Sequence, residues 1–294
     1  MRTTPALLLS FLLMGCSTTA VDDDTAASVM DCSTDIDDGA SGFIQAYFLC
    51  IDAGSDNTVQ SDSLPPHESP YWDESNDLWV AWDDRGGDYT QNMNTLDTGT
   101  ISFTIPTDPT PQDANLVIDS SLVDTTMGTS DYEYSGGPVG VALNGVSMFA
   151  AMAAAGADIY EEVFTFDLYE GHPAGSQYHY HWHSKGPLEV LEAKGLTTSS
   201  TPGEGDVEVY GMMCDGTVVL GCTELDGVAP DTSDFDAQNG HVHDLSDGSS
   251  DYFSDRYHTH VCQELGLFEL FPEIAYYETT GCGSTGGGPA PGGP

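Results

Sequence analysis

Apolar positions along the chain come in short runs with aromatic or β-branched residues, separated by Gly, Pro, Asn and Asp. Residues 77–82 and 100–105 are two such runs, and Asn92-Met93-Asn94, Pro106, Pro109 and Pro111 break the chain around them. Residues 139–143, the dipeptide Asn144-Gly145 and residues 146–150 read as a hairpin on a type I′ turn. Residues 151–155 open a short helix, and little else repeats at the helical period. Residues 136–157 carry no charge, but Gly, Ala, Ser and Asn dominate them and make the stretch too polar for a membrane span. The pattern predicts a mainly β protein: a compact β-rich domain with hairpins and few short helices.

Two stretches of the chain repeat each other. Gly140-x-x-x-Asn144-Gly145 aligns with Gly211-x-x-x-Asp215-Gly216. Phe166-Asp167-x-x-x-Gly171-His172 follows the first, and Phe235-Asp236-x-x-x-Gly240-His241 follows the second. Tyr178-His179-Tyr180-His181 then matches Tyr257-His258-Thr259-His260. Three matched blocks in one order predict two related halves, residues 136–184 and 207–262, sharing a core. The insertion between His241 and His258 is their main difference.

The repeat carries the chemistry. Eight of the nine histidines fall in these blocks or beside them, and His67 alone lies outside. On a strand, residues i and i+2 face the same side. His179, His181 and His183 therefore share one face, as do His258 with His260 and His241 with His243. Imidazoles at that spacing can meet one cation such as Zn²⁺ or Cu²⁺. The expected ligands are His172, His179, His181, His241, His258 and His260, in one cluster or two. Asp167, Asp236, His183 and His243 stand as orienting or additional ligands. Two other readings remain open: histidines that brace tight turns and satisfy buried backbone groups, and metal-free acid–base catalysis. Gly171 and Gly240 can equally serve by adopting φ > 0, and Asp167 and Asp236 by capping a turn.

Composition narrows the partners. Asp and Glu total 48 against 5 Lys and Arg, a formal net charge of −43. Such a chain cannot neutralise phosphates, which excludes an electrostatic nucleic-acid binder, and it does not dock on anionic lipid heads. A surface this rich in Asp resembles those adapted to salty water and calls for counterions.

The N-terminus predicts export. Arg2 precedes an apolar run over residues 6–14, too short to span a bilayer and fitting the h-region of a secretory signal. Leu13-Met14-Gly15-Cys16 resembles a bacterial lipobox, with Cys16 as the lipidated residue. Residues 1–15 are then a signal peptide, 16–42 a lipidated linker, 43–278 the folded domain and 279–294 a Gly/Pro-rich tail. The protein is expected in the cell envelope, held by its N-terminal lipid, with Ser17 pointing to the outer membrane of a Gram-negative cell. Six further cysteines, Cys32, Cys50, Cys214, Cys222, Cys262 and Cys282, predict up to three disulfides of open connectivity.

Gly137-Pro138-Val139-Gly140-Val141-Ala142-Leu143-Asn144-Gly145-Val146, Phe166-Asp167, Gly171-His172-Pro173 and Tyr178-His179-Tyr180-His181 resemble the YHYH-domain family of bacterial exported proteins. Residues 236–244 and 257–262 resemble its downstream portion, and residues 64–72 with Asn92-x-Asn94 its early segments. The resemblance covers about residues 60–278. Tyr169 stands where some members carry Cys, so no thiol ligand is expected there. The resemblance supplies no reaction. The expected function is a lipoprotein that binds a transition metal through paired His-x-His motifs, for metal capture or ligand binding without turnover. A metal-dependent hydrolase and a structural or adhesion module are the alternatives. Any protein or small-molecule partner is left undefined.

Overall fold

The computed structural model describes residues 57–97, 101–106, 108–113, 118, 133–153, 156–249, 251–266 and 270–282. The signal segment, Cys16, the linker, Cys32, Cys50 and the tail past Cys282 lie outside them. Among the described residues there are ten strands and one α-helix. β1 (Asn57–Ser61) and β2 (Ile101–Ile105) form an antiparallel pair of their own. The main sheet has eight strands: β3 (Pro138–Ala142), β4 (Ser147–Phe149), β5 (Gly171–Ala174), β6 (Gln177–Tyr180), β7 (Val209–Met213), β8 (Val218–Leu220), β9 (Gly240–Ser246) and β10 (Asp251–His260). The protein is mainly β, as its pattern predicts.

The spatial order is β5-β6-β4-β3-β7-β8-β10-β9. Read outward from the β3–β7 pair, the first half runs β3, β4, β6, β5 and the second β7, β8, β10, β9. The halves therefore have the same topology about a central antiparallel pair. The parallel pairs correspond too: β4 lies against β6, and β8 against β10. Val141 opposes Met212 at the centre, flanked by Gly140↔Met213 and Ala142↔Gly211. The repeated glycine has a reason here. A Cβ on Gly140 would lie 2.7 Å from the Met212 carbonyl oxygen, and one on Gly211 2.3 Å from that of Val141. Only glycine lets the two central backbones come this close.

Val139, Val141, Met148, Val209, Met212, Val218 and Leu220 are fully buried on these strands and form one core with Tyr178, Tyr180 and Tyr210. Central strands buried on both faces read as apolar runs without alternation.

Local details differ from expectation in four places. The β3–β4 connection is a three-residue loop: Ala142 N–H donates to the Val146 carbonyl and Gly145 N–H to that of Ala142. Of its residues only Gly145 has positive φ, at 84°. A type I′ turn needs a second such residue, and Asn144 is instead held by its amide, which donates to the Tyr180 hydroxyl at 3.1 Å. Residues 151–153 form no helix. Met152 makes an isolated bridge to Asp158, and Ala153 N–H donates to the Ala157 carbonyl. Residues 77–82 form no strand beyond a bridge from Trp79 to Ser69. Sequence reasoning also missed α1 (Lys185–Ala193), where Ser184 caps the N-terminus by accepting from Gly186 N–H. Its buried Leu188 and Leu191 lie three apart, and Gly195 follows the last turn at φ 70°. That is a readable helix signature on a short segment.

Candidate metal centres

Each half builds a histidine group at its own edge of the sheet by the same steps. The chain enters through a five-residue loop, Asp167 to Gly171 or Asp236 to Gly240. Asp167 N–H donates to the Gly171 carbonyl at 2.9 Å, and Asp236 N–H to that of Gly240 at 2.8 Å. The Asp167 carboxylate accepts from Tyr169 N–H at 2.8 Å and Gly171 N–H at 3.4 Å. Asp236 accepts likewise from Gln238 and Gly240, each at 2.9 Å. Each acid also receives a tyrosine hydroxyl at 2.8 Å, Tyr178 to Asp167 and Tyr257 to Asp236. Neither carboxylate bonds an imidazole. The expectation that Asp167 and Asp236 orient ligands is corrected: their oxygens are spent closing the loop and holding the tyrosine. Burial pushes Asp167 up to about 6, against the lowering pull of these hydrogen bonds and one from Ser69.

The glycine before each histidine does not take φ > 0. Glu170 and Asn239, one residue earlier, do so at 59° each. Gly171 and Gly240 are glycines because a tyrosine ring lies over them. An added Cβ would stand 2.5 Å from Tyr178 Cζ and 2.1 Å from the Tyr257 hydroxyl.

The strand pairing then sets the imidazoles. His172 is directly opposite His179, and His241 opposite His258. His181 and His260 follow two residues further on, on the same face. Ring centroids of the opposed pairs are 4.5 Å apart in both halves. Phe166 meets His172 edge-on at 4.7 Å and lies parallel to His181 at 5.8 Å. Phe235 repeats this with His241 at 4.8 Å and His260 at 5.2 Å. The result is two separate groups, His172/His179/His181 and Glu224/His241/His258/His260, each with candidate ligand atoms within 4.8 Å of one another. The six imidazoles are buried, and the Glu224 side chain is 12% exposed.

The outer nitrogens fix the tautomers. His179 and His258 turn Nδ1 to the carbonyl two residues back, Gln177 at 3.2 Å and Arg256 at 3.0 Å. His181 and His260 turn theirs to the carbonyls just past β4 and β8, Ala150 and Gly221, both at 2.8 Å. His172 Nδ1 meets the Thr165 hydroxyl at 2.6 Å, and that hydroxyl donates its own proton to the Glu162 carbonyl. His241 Nδ1 meets the Asp234 carboxylate at 3.1 Å. A carbonyl or carboxylate can only accept, so each Nδ1 carries a proton and, in the neutral ring, each Nε2 a lone pair. Two such lone pairs face each other at 3.0 Å between His179 and His181, and the Nε2 atoms of His241 and His258 stand 2.9 Å apart beside the Glu224 carboxylate. Bare lone pairs at that distance repel, and a cation between them removes the conflict. Two nitrogens bound to one tetrahedral Zn²⁺ sit about 3.3 Å apart for bonds of about 2.0–2.1 Å. His172 Nε2 and His260 Nε2 are buried without a hydrogen-bond partner. The donor set fits a borderline ion such as Zn²⁺ or Cu²⁺.

Burial favours the neutral form of four of these rings. Burial lowers His172 and His179 well below the ordinary value, and neighbouring imidazoles add to it. Burial likewise takes His181 and His258 down to about 4. His241 moves the other way: burial lowers it, but Glu224 and Asp234 outweigh this and raise it. Glu224 Oε1 is 3.0 Å from His241 Nε2 and 3.4 Å from His260 Nε2, and Oε2 is 3.2 Å from His258 Nε2. Burial raises Glu224, yet the three rings around it outweigh burial and hold its carboxyl far below the usual range.

His183 and His243 join neither group. Strand β6 ends at Tyr180 and the chain turns toward α1, leaving His183 stacked on Trp182 with centroids 6.3 Å apart. His243 is exposed and only stacks on His241, at 5.7 Å.

Compared with family models, curated proteins and solved structures, the chain matches none.

Sequence reasoning missed Glu224, Thr165 and Asp234. Thr165 and Asp234 each precede the repeated Phe, and that shared position was the available signal. Glu224 has no counterpart in the first half, so the repeat conceals it. Two disulfides form, Cys214–Cys282 and Cys222–Cys262. The second ties the residue after Gly221 to the residue two past His260, bracing the second group. Cys222, Cys262 and Glu264 also cluster, but the joined sulfurs offer no thiolate. No helix among the described residues is long and apolar enough to cross a membrane.

Proposed function

We propose that the protein is a non-catalytic metal-capture lipoprotein of the cell envelope, holding one transition-metal ion in each histidine centre. The observation that carries the reading is the common orientation of six imidazoles. Every Nδ1 is spent on an acceptor and every Nε2 turns into its cluster. Metal-ligating histidines are held in this way, with the outer nitrogen fixing ring orientation and tautomer. Histidines that only brace turns would use Nδ1 alike, but nothing would bring their free nitrogens within 3 Å of each other. Zn²⁺ and Cu²⁺ are the fitting ions. Placement in the envelope rests on the apolar run before Leu13-Met14-Gly15-Cys16. The resemblance to YHYH-domain proteins agrees with it.

The test is metal analysis of protein made without a His tag, incubated with Zn²⁺ and passed over a chelating resin that strips ions from surface carboxylates. Two equivalents should remain. His179→Ala/His181→Ala should retain one, with an unchanged circular dichroism spectrum. Fewer than two equivalents on the wild-type protein overturns the reading.

A further inference from the structure

The two centres share six imidazoles and their acceptors but differ in what closes them. Phe149 and Leu220 end the matched strands β4 and β8. Four residues later the first half has Ala153 and the second Glu224. Glu224 fills the fourth corner of the second group. Among the described residues the first group consists of three imidazoles alone. Glu162 stands 3.7 Å from His172 Nε2, beyond a hydrogen bond. The Glu162 side chain is 29% exposed, so the acid beside this buried group is itself in contact with solvent. The flat Phe149 ring, 3.8 Å from that of His179, covers another side. His172 Nε2 is the buried, unpartnered atom next to Glu162.

We propose that the first centre is an open three-histidine metal site with one exchangeable coordination position, on the Glu162 side, for water or a small anion. The second centre is closed by the Glu224 carboxylate. This rests on the metal-binding reading above. Three neutral imidazoles leave the full charge of a divalent ion uncompensated, and a fourth ligand must come from solution. Zinc sites with three protein ligands keep such a position, whereas structural sites fill all four. Glu162 can accept a hydrogen bond from a water held there, and its charge works against an anion that displaces that water.

The test uses the full chain loaded with two equivalents of Co²⁺ and titrated with azide, read by the visible ligand-field spectrum. Azide should perturb the part of the spectrum lost in His179→Ala/His181→Ala and leave the rest unchanged. Glu224→Ala should make both ions respond. Glu162→Gln should tighten azide binding several-fold by removing a charge. If fewer than two Co²⁺ bind, the metal-binding reading fails. If two bind and azide perturbs neither, or both equally in the wild-type protein, this assignment alone is overturned.

Discussion

Replacing Gly240 by Ala tests whether the repeated Gly-His is a packing device. The new Cβ would lie 2.1 Å from the Tyr257 hydroxyl oxygen and 2.4 Å from Cζ. Ordinary carbon contacts are about 3.5–4.0 Å, so the ring must move by more than about 1 Å. Tyr257 has no room for this. It is fully buried, edge-on to Tyr276 at 4.8 Å, and its hydroxyl donates to Asp236 at 2.8 Å while accepting from the Gln238 amide at 3.0 Å. Overpacking costs about 1–3 kcal/mol. Losing the hydrogen bond to a charged partner costs about 1.5–3 kcal/mol more. Against these, Ala restricts the unfolded chain and returns about 0.4–1 kcal/mol, because φ at Gly240 is not in the left-handed region. The net expected loss is about 2–5 kcal/mol. Gly171→Ala should cost a similar amount through Tyr178, whose Cζ would be 2.5 Å away. Gly136, exposed, with open space around it and no positive φ, is the control and should change by less than about 0.5 kcal/mol. Urea unfolding of chelator-treated, disulfide-intact protein, followed by circular dichroism, measures all three. A loss below about 1 kcal/mol at both Gly171 and Gly240, or an equal loss at Gly136, would refute the packing argument.

Two further outcomes are expected. Replacing Cys222 and Cys262 together by Ala should destabilise the metal-free fold by about 4 kcal/mol, from the 40-residue separation they close. The same variant should weaken the second metal centre selectively, and equal weakening of both centres in competition titrations would contradict the bracing role. His67 is buried against Tyr169, its Nε2 accepting from the Tyr180 hydroxyl at 2.7 Å, and burial lowers its pKa from 6.5 to about 3. A folded pKa below the unfolded one gives stability that is full above pH 6.5 and is lost as pH falls toward 3. The loss should reach about 4–5 kcal/mol, with a slope near 1.4 kcal/mol per pH unit that is absent from His67→Gln. Parallel pH profiles of the two proteins in urea titrations would rule this out.

The matched blocks made much of this protein legible in its amino-acid sequence. A period of two places His179 with His181, and His258 with His260, on one face whatever the rest of the chain does. Order of the blocks implied two halves, and the histidines they carry are the ones that meet. These are local properties, fixed by backbone geometry within a few residues. What the sequence left open depends on partners far along the chain. Asp167 and Asp236 are equally able to hold an imidazole or close a loop, and only the overlying tyrosines decide for the loop. His183 continues the alternation of His179 and His181, but the strand ends before it does. The Nδ1 acceptors are mostly backbone carbonyls, which every residue has, so no side-chain pattern announces them. Glu224 reaches the second centre from the connection after β8, a placement set by sheet order and braced by a disulfide. Spacing could nominate the candidate ligands, but whether a fourth one stands beside them depends on how the two halves, alike in topology, differ in the connections after β4 and β8.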